Sequence, residues 1–579
     1  MEKPWLAHYE KGVPATLSYP NHTLNDLLTN AVRSHPDKVA TNFVLRYMLG
    51  GRFTIGGKLT YRQLNEQVDR MATALYQLGV RQGDRVAVML PNSPHYIITF
   101  FAAMRIGAIV VNINPTYTGR ELSHQVTDAG AETLVLLNLF WPRLREVRSE
   151  TPIKRVIVAH VFDTLSFPSS LLVKSAQKKT PEWVDVRPEQ DTFFFQHLLE
   201  KYGPTPPKAT ISPDDVALFQ YTGGTTGLPK AAMLTHRNLV SNVLQINAFL
   251  PSGVPGGEKV MAAIPFFHVY GMTVAMLYGI YLCAEIIIVP NPRPIDNVMK
   301  IMQKERATLY PGVPAMYIGI INHKDVASYD LRSIKACLSG SAPLPMEVQE
   351  KFGQITGGRL VEGFGMTECS PVAHANPVFG QRKAGSIGVP LPDTDAKIID
   401  LETGAVLPFD GASQGELCVR GPQVMKGYWN RPEETSETVD ADGWLHTGDI
   451  CTVDAEGYFF IVDRKKDMII ASGFKVLPRE VEEVLFMHPK VMEAVVAGIP
   501  NPARGDDTVK AYIVPKPGEN PTAEEIKAFC KLHLAEYKLP REVEFRSELP
   551  KTMVGKVLRR VLVEEEKAKQ KAAKEKAAA

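Results

Sequence analysis

Cysteine is scarce in this chain: six in 579 residues, at 283, 337, 369, 418, 451 and 530. No two form a C-x-x-C pair, which argues against a structural zinc site or a disulfide framework and fits a reducing cytoplasm. A strong charge of one sign is missing too. The formal net charge of +2 lacks the basic excess that marks nucleic-acid binding, so no nucleic-acid partner is expected. Met1–Pro20 has charges and prolines but no apolar core, so it does not read as a signal peptide. Apolar runs of membrane-spanning length are absent but for one. Met261–Ala284 holds no Asp, Glu, Lys or Arg and is nominally long enough to cross a bilayer. Pro265, His268 and Gly271 interrupt it and Glu285 follows. It reads instead as a loop, a buried helix and the strand Glu285–Pro290.

The common nucleotide loop is also absent. Gln220–Lys230 contains three glycines, three threonines and a lysine, yet G-x-x-x-x-G-K-[ST] fails there because Lys230 follows Pro229 and precedes Ala231. Val216–Gln220 and Ala231–Thr235 read as strands, whereas a P-loop opens into a helix. Glycines allow tight turns and close backbone approach. Hydroxyls and an ammonium supply donors and charge for a polyphosphate. A plain surface hairpin is the bland alternative; the hydroxyls beside Lys230 favour a phosphate-binding loop of another kind.

What remains is the composition of a globular protein, 45% hydrophobic and 22% charged, and long enough for two or more units. Thr60–Gln63 forms a capping box, and Leu64, Val68, Met71, Leu75 and Leu78 follow at helical spacing up to Gly79. Strand Arg85–Leu90, a helix opened by Pro94, strand Ile109–Ile113, a second capping box at Thr118–Glu121 closed by Gly130, and strand Thr133–Leu137 follow. This alternation predicts an α/β fold with a largely parallel sheet.

Residues 162–212 break the rhythm as a surface excursion. Within it Leu171, Leu172 and Val173 adjoin Lys174, Lys178 and Lys179, a pattern that suits a membrane surface. Alternation resumes at Ser212, and Gly385–Arg420 reads as short strands. Asp463–Asp467 is a dense charged break between strands Tyr458–Val462 and Met468–Ile470, and a compact α+β pattern follows. The expected division is a large α/β domain, 1–462, with a β-rich subdomain at about 385–462, and a smaller α+β domain, 463–579. The Lys/Ala-rich tail after Glu564 reads as a frayed helix or a disordered segment.

Further polar loops complete the set: Pro265–His268, Ser339–Leu344, Gly363–Glu368, Trp444–Asp449 and Pro550–Lys556. Taken in order, from about Leu59 to Arg560, these resemble the acyl-adenylate-forming superfamily of acyl-CoA synthetases, luciferases and peptide-synthetase adenylation domains. Tyr221–Thr226, Gly421–Met425, Ile461–Met468 and Ser472–Phe474 are most similar to bacterial long-chain fatty-acyl-CoA synthetases.

The resemblance implies two half-reactions. A carboxylate attacks the α-phosphate of MgATP to give acyl-AMP and pyrophosphate; the thiol of coenzyme A then takes the acyl group and AMP leaves. It further implies that Thr222, Gly223, Gly224, Thr225, Thr226, Gly227 and Lys230 hold the phosphates. Glu368 and Thr222 would place Mg²⁺, a hard cation that prefers oxygen. Gly340, Ser341, Ala342 and Pro343, with Gly363, Phe364, Gly365, Met366 and Thr367, would pass along the adenine and α-phosphate. Asp449 would accept the ribose hydroxyls, with Arg464 and Lys466 near ribose or phosphate. Lys556 would bridge the carboxylate and α-phosphate, and Asp463 would be the hinge of a mobile small domain. Ser472, Gly473, Phe474 and Lys475 would meet coenzyme A. Val554 stands where many relatives carry Ser or Thr, which removes one hydroxyl beside Gly555–Lys556.

His268, implied at the catalytic centre, Val269, Gly271, Met272 and Val274 would border the acyl group. Amino-acid-activating relatives place an aspartate after the aromatic loop; Phe267–Tyr270 offers no carboxylate here, so an uncharged alkyl acid fits. Alternatives are a ligase for a medium-chain, aryl or secondary-metabolite acid, an acyl-AMP ligase serving a carrier protein, or an inactive fatty-acid-binding module. A cytoplasmic enzyme is expected, with weak peripheral contact to the inner face of the cell membrane; the sequence is compatible with a homodimer.

Overall fold

The computed structural model describes residues 2–48, 52–180, 183–222, 229–471, 474–501, 506–552 and 557–578. The chain forms two compact units. One comprises Leu6–Asp395 and Arg420–Leu445; the other comprises Met1–Trp5, Ala396–Val419 and His446–Ala579.

Two sheets organise the first unit. Arg85–Met89, Ile109–Asn112, Thr133–Leu137, Arg155–Ala159 and Thr192–Phe194 run parallel in an eight-stranded sheet. Val216–Thr222 joins parallel beside Ile109–Asn112, and Lys230–Thr235 turns back antiparallel to it. Thr192–Phe194 corrects the reading of 162–212 as a single excursion. Strand–helix alternation returns there, with helix Phe195–Lys201 burying Phe195, Leu198 and Leu199.

The second sheet is built around parallel Val39–Met48, Glu285–Ile288, Lys259–Ala262, Ala336–Ser339 and Arg359–Gly365. Single parallel bridges at Leu309, to Val260 and to Ala336, stitch its two halves together. Both capping boxes form as expected, at Thr60 and Thr118. Met261–Ala284 is likewise a strand end, a loop and a buried helix. The helix starts as the π-helical stretch Gly271–Leu277 and continues as Tyr278–Tyr281. Among the described residues no helix is long and apolar enough to cross a membrane.

In the other unit, Asp395–Ile399, Gly415–Arg420, Leu445–Val453 and Phe459–Arg464 form one sheet. The strand Phe459–Arg464 runs through Asp463 and Arg464, which the charge density had suggested as a break. Arg464 stands opposite Asp449 across the strand pair and binds it at 3.1 Å; a cross-strand ion pair of this kind extends a strand.

Downstream, Val491–Asn501, Asp506–Pro515 and Glu542–Phe545 form a three-stranded sheet. Of the two expectations for the tail, the helix forms, over Arg559–Ala578. Leu562 is fully buried, and Glu566 and Lys569 join Lys510 and Glu544 in an ion network. Burial alone would raise the Glu544 carboxyl; Lys510, Lys569 and Arg546 outweigh it and hold it down at about 2. All six cysteines are buried and none is in a disulfide.

Candidate active site

The hairpin base is the first landmark. Thr222 and Lys230 face each other in the register of the two strands, and the Thr222 hydroxyl donates to the Lys230 carbonyl at 3.5 Å. Gly223, Gly224, Thr225, Thr226 and Gly227 lie outside the described residues. The Tyr221 hydroxyl donates to Asp128 at 2.7 Å, and Arg431 pairs with the same carboxylate at 3.2 Å. Lys230 has its ammonium 5.2 Å from the centre of the Tyr428 ring and 4.0 Å from Glu434.

Two loops follow the carboxyl ends of parallel strands in the second sheet. Ala336–Ser339 leads into Gly340–Pro343, where Ser341 takes a left-handed backbone (φ 71°). Tyr270 packs beneath Gly340, where a Cβ would sit 3.3 Å from its ring, and donates its hydroxyl to the Leu338 carbonyl at 2.6 Å. Arg359–Gly365 ends in Gly363–Thr367. Gly365 admits no side chain: a Cβ would lie 1.8 Å from the Pro371 carbonyl oxygen. Beyond this turn Glu368 is buried, at 6% exposure. It accepts the Tyr428 hydroxyl at 2.6 Å, and its carbonyl accepts the Met425 N–H at 2.8 Å. Among the described residues no three His, Cys, Asp or Glu side chains converge on a metal cage.

His268 sits at the mouth of the helix that begins near Gly271. The Tyr270 N–H donates to His268 Nδ1 at 3.2 Å, so the neutral ring carries its proton on Nε2. Its loop is anchored by Gln220, which donates to the Phe267 carbonyl at 3.1 Å and in turn accepts from Asn112 at 2.9 Å.

Behind the loops lies a cavity of about 70 Å³ bordered by Phe249, Val274, Tyr278, Tyr310, Leu338 and Leu391 among other apolar residues. Of the five residues the sequence assigns to the acyl group, Val274 borders it. His268, Val269, Gly271 and Met272 do not: Val269 is fully buried, Met272 is buried with its sulfur 3.8 Å from the Asn112 amide, and Gly271 fits beneath the Pro265 carbonyl.

In the other unit the Thr447–Asp449 turn is held from several sides. The Thr447 hydroxyl donates to the Leu417 carbonyl at 2.8 Å. The Gly448 N–H donates to Glu416 at 3.1 Å, with Gly448 in the left-handed region (φ 72°). Lys465 reaches the other oxygen of Glu416 at 2.9 Å. Asp449 is buried and Lys466 exposed.

Asp463, buried at 3%, accepts the backbone N–H groups of Arg464 and Arg479, each at 2.7 Å. Arg479 lies in the first turn of helix Pro478–Met487, so Asp463 caps that helix from a distant strand. Burial pushes its carboxyl above the ordinary range, and the two N–H donors offset only part of this. Lys475 pairs with Glu402 at 2.9 Å, and Phe474 opens the strand Phe474–Val476. Ser472, Gly473 and Lys556 lie outside the described residues.

Tyr428, Glu416 and most of the cavity wall went unmarked in the sequence. Tyr428 and Glu368 are 60 residues apart; a signal existed only in Gly427–Trp429 following the Gly421–Met425 motif.

Parallel strands with polar loops at their carboxyl ends, the buried carboxylate of Glu368 and a lysine-bearing hairpin define an α/β enzyme with its site along the strand ends. The chain belongs to the AMP-binding enzyme family: that family's model matches residues 28–429, and the model of the AMP-binding enzyme C-terminal domain matches 480–556. The chain is similar to a long-chain-fatty-acid–CoA ligase of Bacillus subtilis (strain 168), with 45% identity over 98% of each chain. It is 40% identical to a long-chain-fatty-acid–CoA ligase of Escherichia coli O157:H7, over 98% of this chain and 99% of the relative. The crystal structure of the anthranilate CoA ligase AuaEII in complex with anthranoyl-AMP matches with a TM-score of 0.80. Its identity is 26%, covering 97% of this chain and 99% of that one.

Proposed function

We propose that the protein activates a long-chain fatty acid with ATP to acyl-AMP and transfers the acyl group to coenzyme A, releasing AMP and pyrophosphate. The observation that carries the choice of acid is the apolar cavity. Its wall includes Leu338, and the chain passes within two residues from there into the polar loop Gly340–Pro343. A carboxylate at the loop with an alkyl chain behind it satisfies both surfaces. Among the described residues no charged side chain borders the cavity to receive an ammonium. The free volume is well under the ~300 Å³ of a typical small-molecule site, so a long chain has to part the side chains around it.

Mg²⁺ belongs to this reading as part of the MgATP substrate. The buried carboxylate of Glu368, with no three-residue cage among the described residues, suits an ion that arrives on phosphate oxygens and keeps much of its water. Lys230 and the hairpin would neutralise the phosphates. Asp449 would take the ribose hydroxyls, with Arg464 and Lys466 close by, and Lys556 would stabilise charge at the α-phosphate. Positioning and electrostatics then supply most of the catalysis. Transfer to coenzyme A would use a second arrangement of the C-terminal residues, reached by rotation at Asp463, with Ser472–Lys475 meeting the thiol substrate.

The test is pyrophosphate release over a panel of acids, with and without coenzyme A. Long-chain fatty acids are expected to give the highest kcat/KM, rising by up to about fourfold per methylene until the slot is filled. A maximum with an aryl or amino acid would overturn the choice of substrate.

The proposal extends to the membrane surface. Phe167, Leu171 and Leu172 are 79%, 59% and 52% exposed, at and within helix Ser169–Gln177. Lys174 and Lys178 lie beside them, over the rings of Phe162 and Trp183. Apolar tips with adjacent ammonium groups suit an anionic lipid surface. Weak binding to anionic vesicles is expected in flotation at low salt, fading toward 0.5 M salt as screening shortens to a few ångströms. Equal recovery with neutral vesicles, or none at low salt, would remove this part.

A further inference from the structure

Tyr428 touches both charged groups at the phosphate end of the site. Its hydroxyl donates to Glu368 Oε1 at 2.6 Å, and its ring faces the Lys230 ammonium at 5.2 Å. The geometry points to Tyr428 as a positioning residue for adenylation, one that orients the Glu368 carboxylate toward the metal and presents Lys230 beside it. The inference rests on the reading of Glu368 as the carboxylate that faces Mg²⁺.

Three features separate this contact from an ordinary satisfied hydroxyl. It is short and charge-assisted, the stronger kind of hydrogen bond, and both partners are buried, Tyr428 at 8% and Glu368 at 6%. Tyr428 is itself fixed by its backbone. Gly427–Tyr428 pairs antiparallel with Ala232 and Met233, in the strand that begins at Lys230, and the Tyr428 N–H donates to Thr435 at 2.9 Å. A side chain held this way cannot follow Glu368 if it turns; Glu368 has to follow it. With Oε1 committed to the phenol, the rotation of the carboxylate is set before nucleotide arrives. Lys230 is confined in the same way, between the Tyr428 ring and Glu434, which Arg431 also contacts at 3.9 Å. The short strand thus couples the hairpin base to the carboxylate across 60 residues of sequence.

Tyr428→Phe is the discriminating variant, because it keeps the ring beneath Lys230 and removes only the hydroxyl. Calorimetric titration of the full chain with MgATP is expected to show about tenfold weaker binding, with metal-free ATP binding unchanged. The Mg²⁺ concentration for half-maximal pyrophosphate release should rise in parallel. In a Glu368→Ala background, Tyr428→Phe should change neither quantity further, since the two residues act through one bond. Thermal unfolding of the unliganded variants reports any loss of fold separately. If Glu368→Ala weakens MgATP while Tyr428→Phe does not, or if Tyr428→Phe weakens MgATP and metal-free ATP equally, the positioning role is overturned. If Glu368→Ala leaves MgATP binding intact, the reading of Glu368 fails, and this inference with it.

Discussion

Glu368→Ala is expected to lower acyl-adenylate formation by about 10²- to 10³-fold, the loss typical of removing one preorganised electrostatic contact to a reacting centre. The residue sits just past the Gly363–Thr367 turn, is buried, and has one carboxylate oxygen held by Tyr428. Alanine also leaves the buried Tyr428 hydroxyl without this acceptor, a stability cost of about 1–3 kcal/mol. Glu368→Gln separates the two effects, since an amide oxygen still accepts the hydrogen bond but carries no charge. The measurement is single-turnover pyrophosphate release without coenzyme A, beside a thermal melt. Near-normal release from either variant would sink the assignment.

Opposite phenotypes are expected for Lys556→Ala and Asp463→Pro. A lysine at the α-phosphate favours adenylation, whereas thioester formation needs a path for the pantetheine arm and no cation filling the site. One rigid arrangement serves both poorly. Lys556→Ala should lose adenylation by about 10²-fold and still convert supplied acyl-AMP and coenzyme A to product. Asp463→Pro fixes φ and removes the carboxylate that accepts the Arg464 and Arg479 N–H groups, so it should impair the thioester step about tenfold more than adenylation. Asp463→Asn, which keeps an acceptor, should lie between that variant and the parent. Measuring each half-reaction separately decides it. Equal losses in both halves for both variants would mean that one conformation does all the chemistry.

Local chemistry made much of the fold legible. The capping boxes at Thr60 and Thr118 carry their own partners three residues on, and the strand Thr133–Leu137 follows directly on the helix stop at Gly130. Longer-range terms decided the rest. Asp463 and Arg464 read as a break between strands because charge is dense there, yet the Asp449 partner lies on another strand. The tail reads as solvated until Lys510 and Glu544, from two distant strands, are placed against it. The site divides along the same line. Loops rich in glycine and hydroxyl announce themselves, and Glu368 follows from its motif. The cavity draws on residues from Ile246 to Leu391 with no shared period, and Tyr428 gains its meaning only through Glu368.

The six buried cysteines have a practical side. With every native thiol sequestered in packed interior, a maleimide dye meets a nearly silent background on the folded protein. Burial pushes the Cys337 thiol well above its ordinary range, which leaves little of the reactive thiolate. A pair of cysteines introduced at exposed positions, one on each compact unit, would carry almost the whole label. The native sequence is therefore already suited to asking whether the distance between the units changes during turnover.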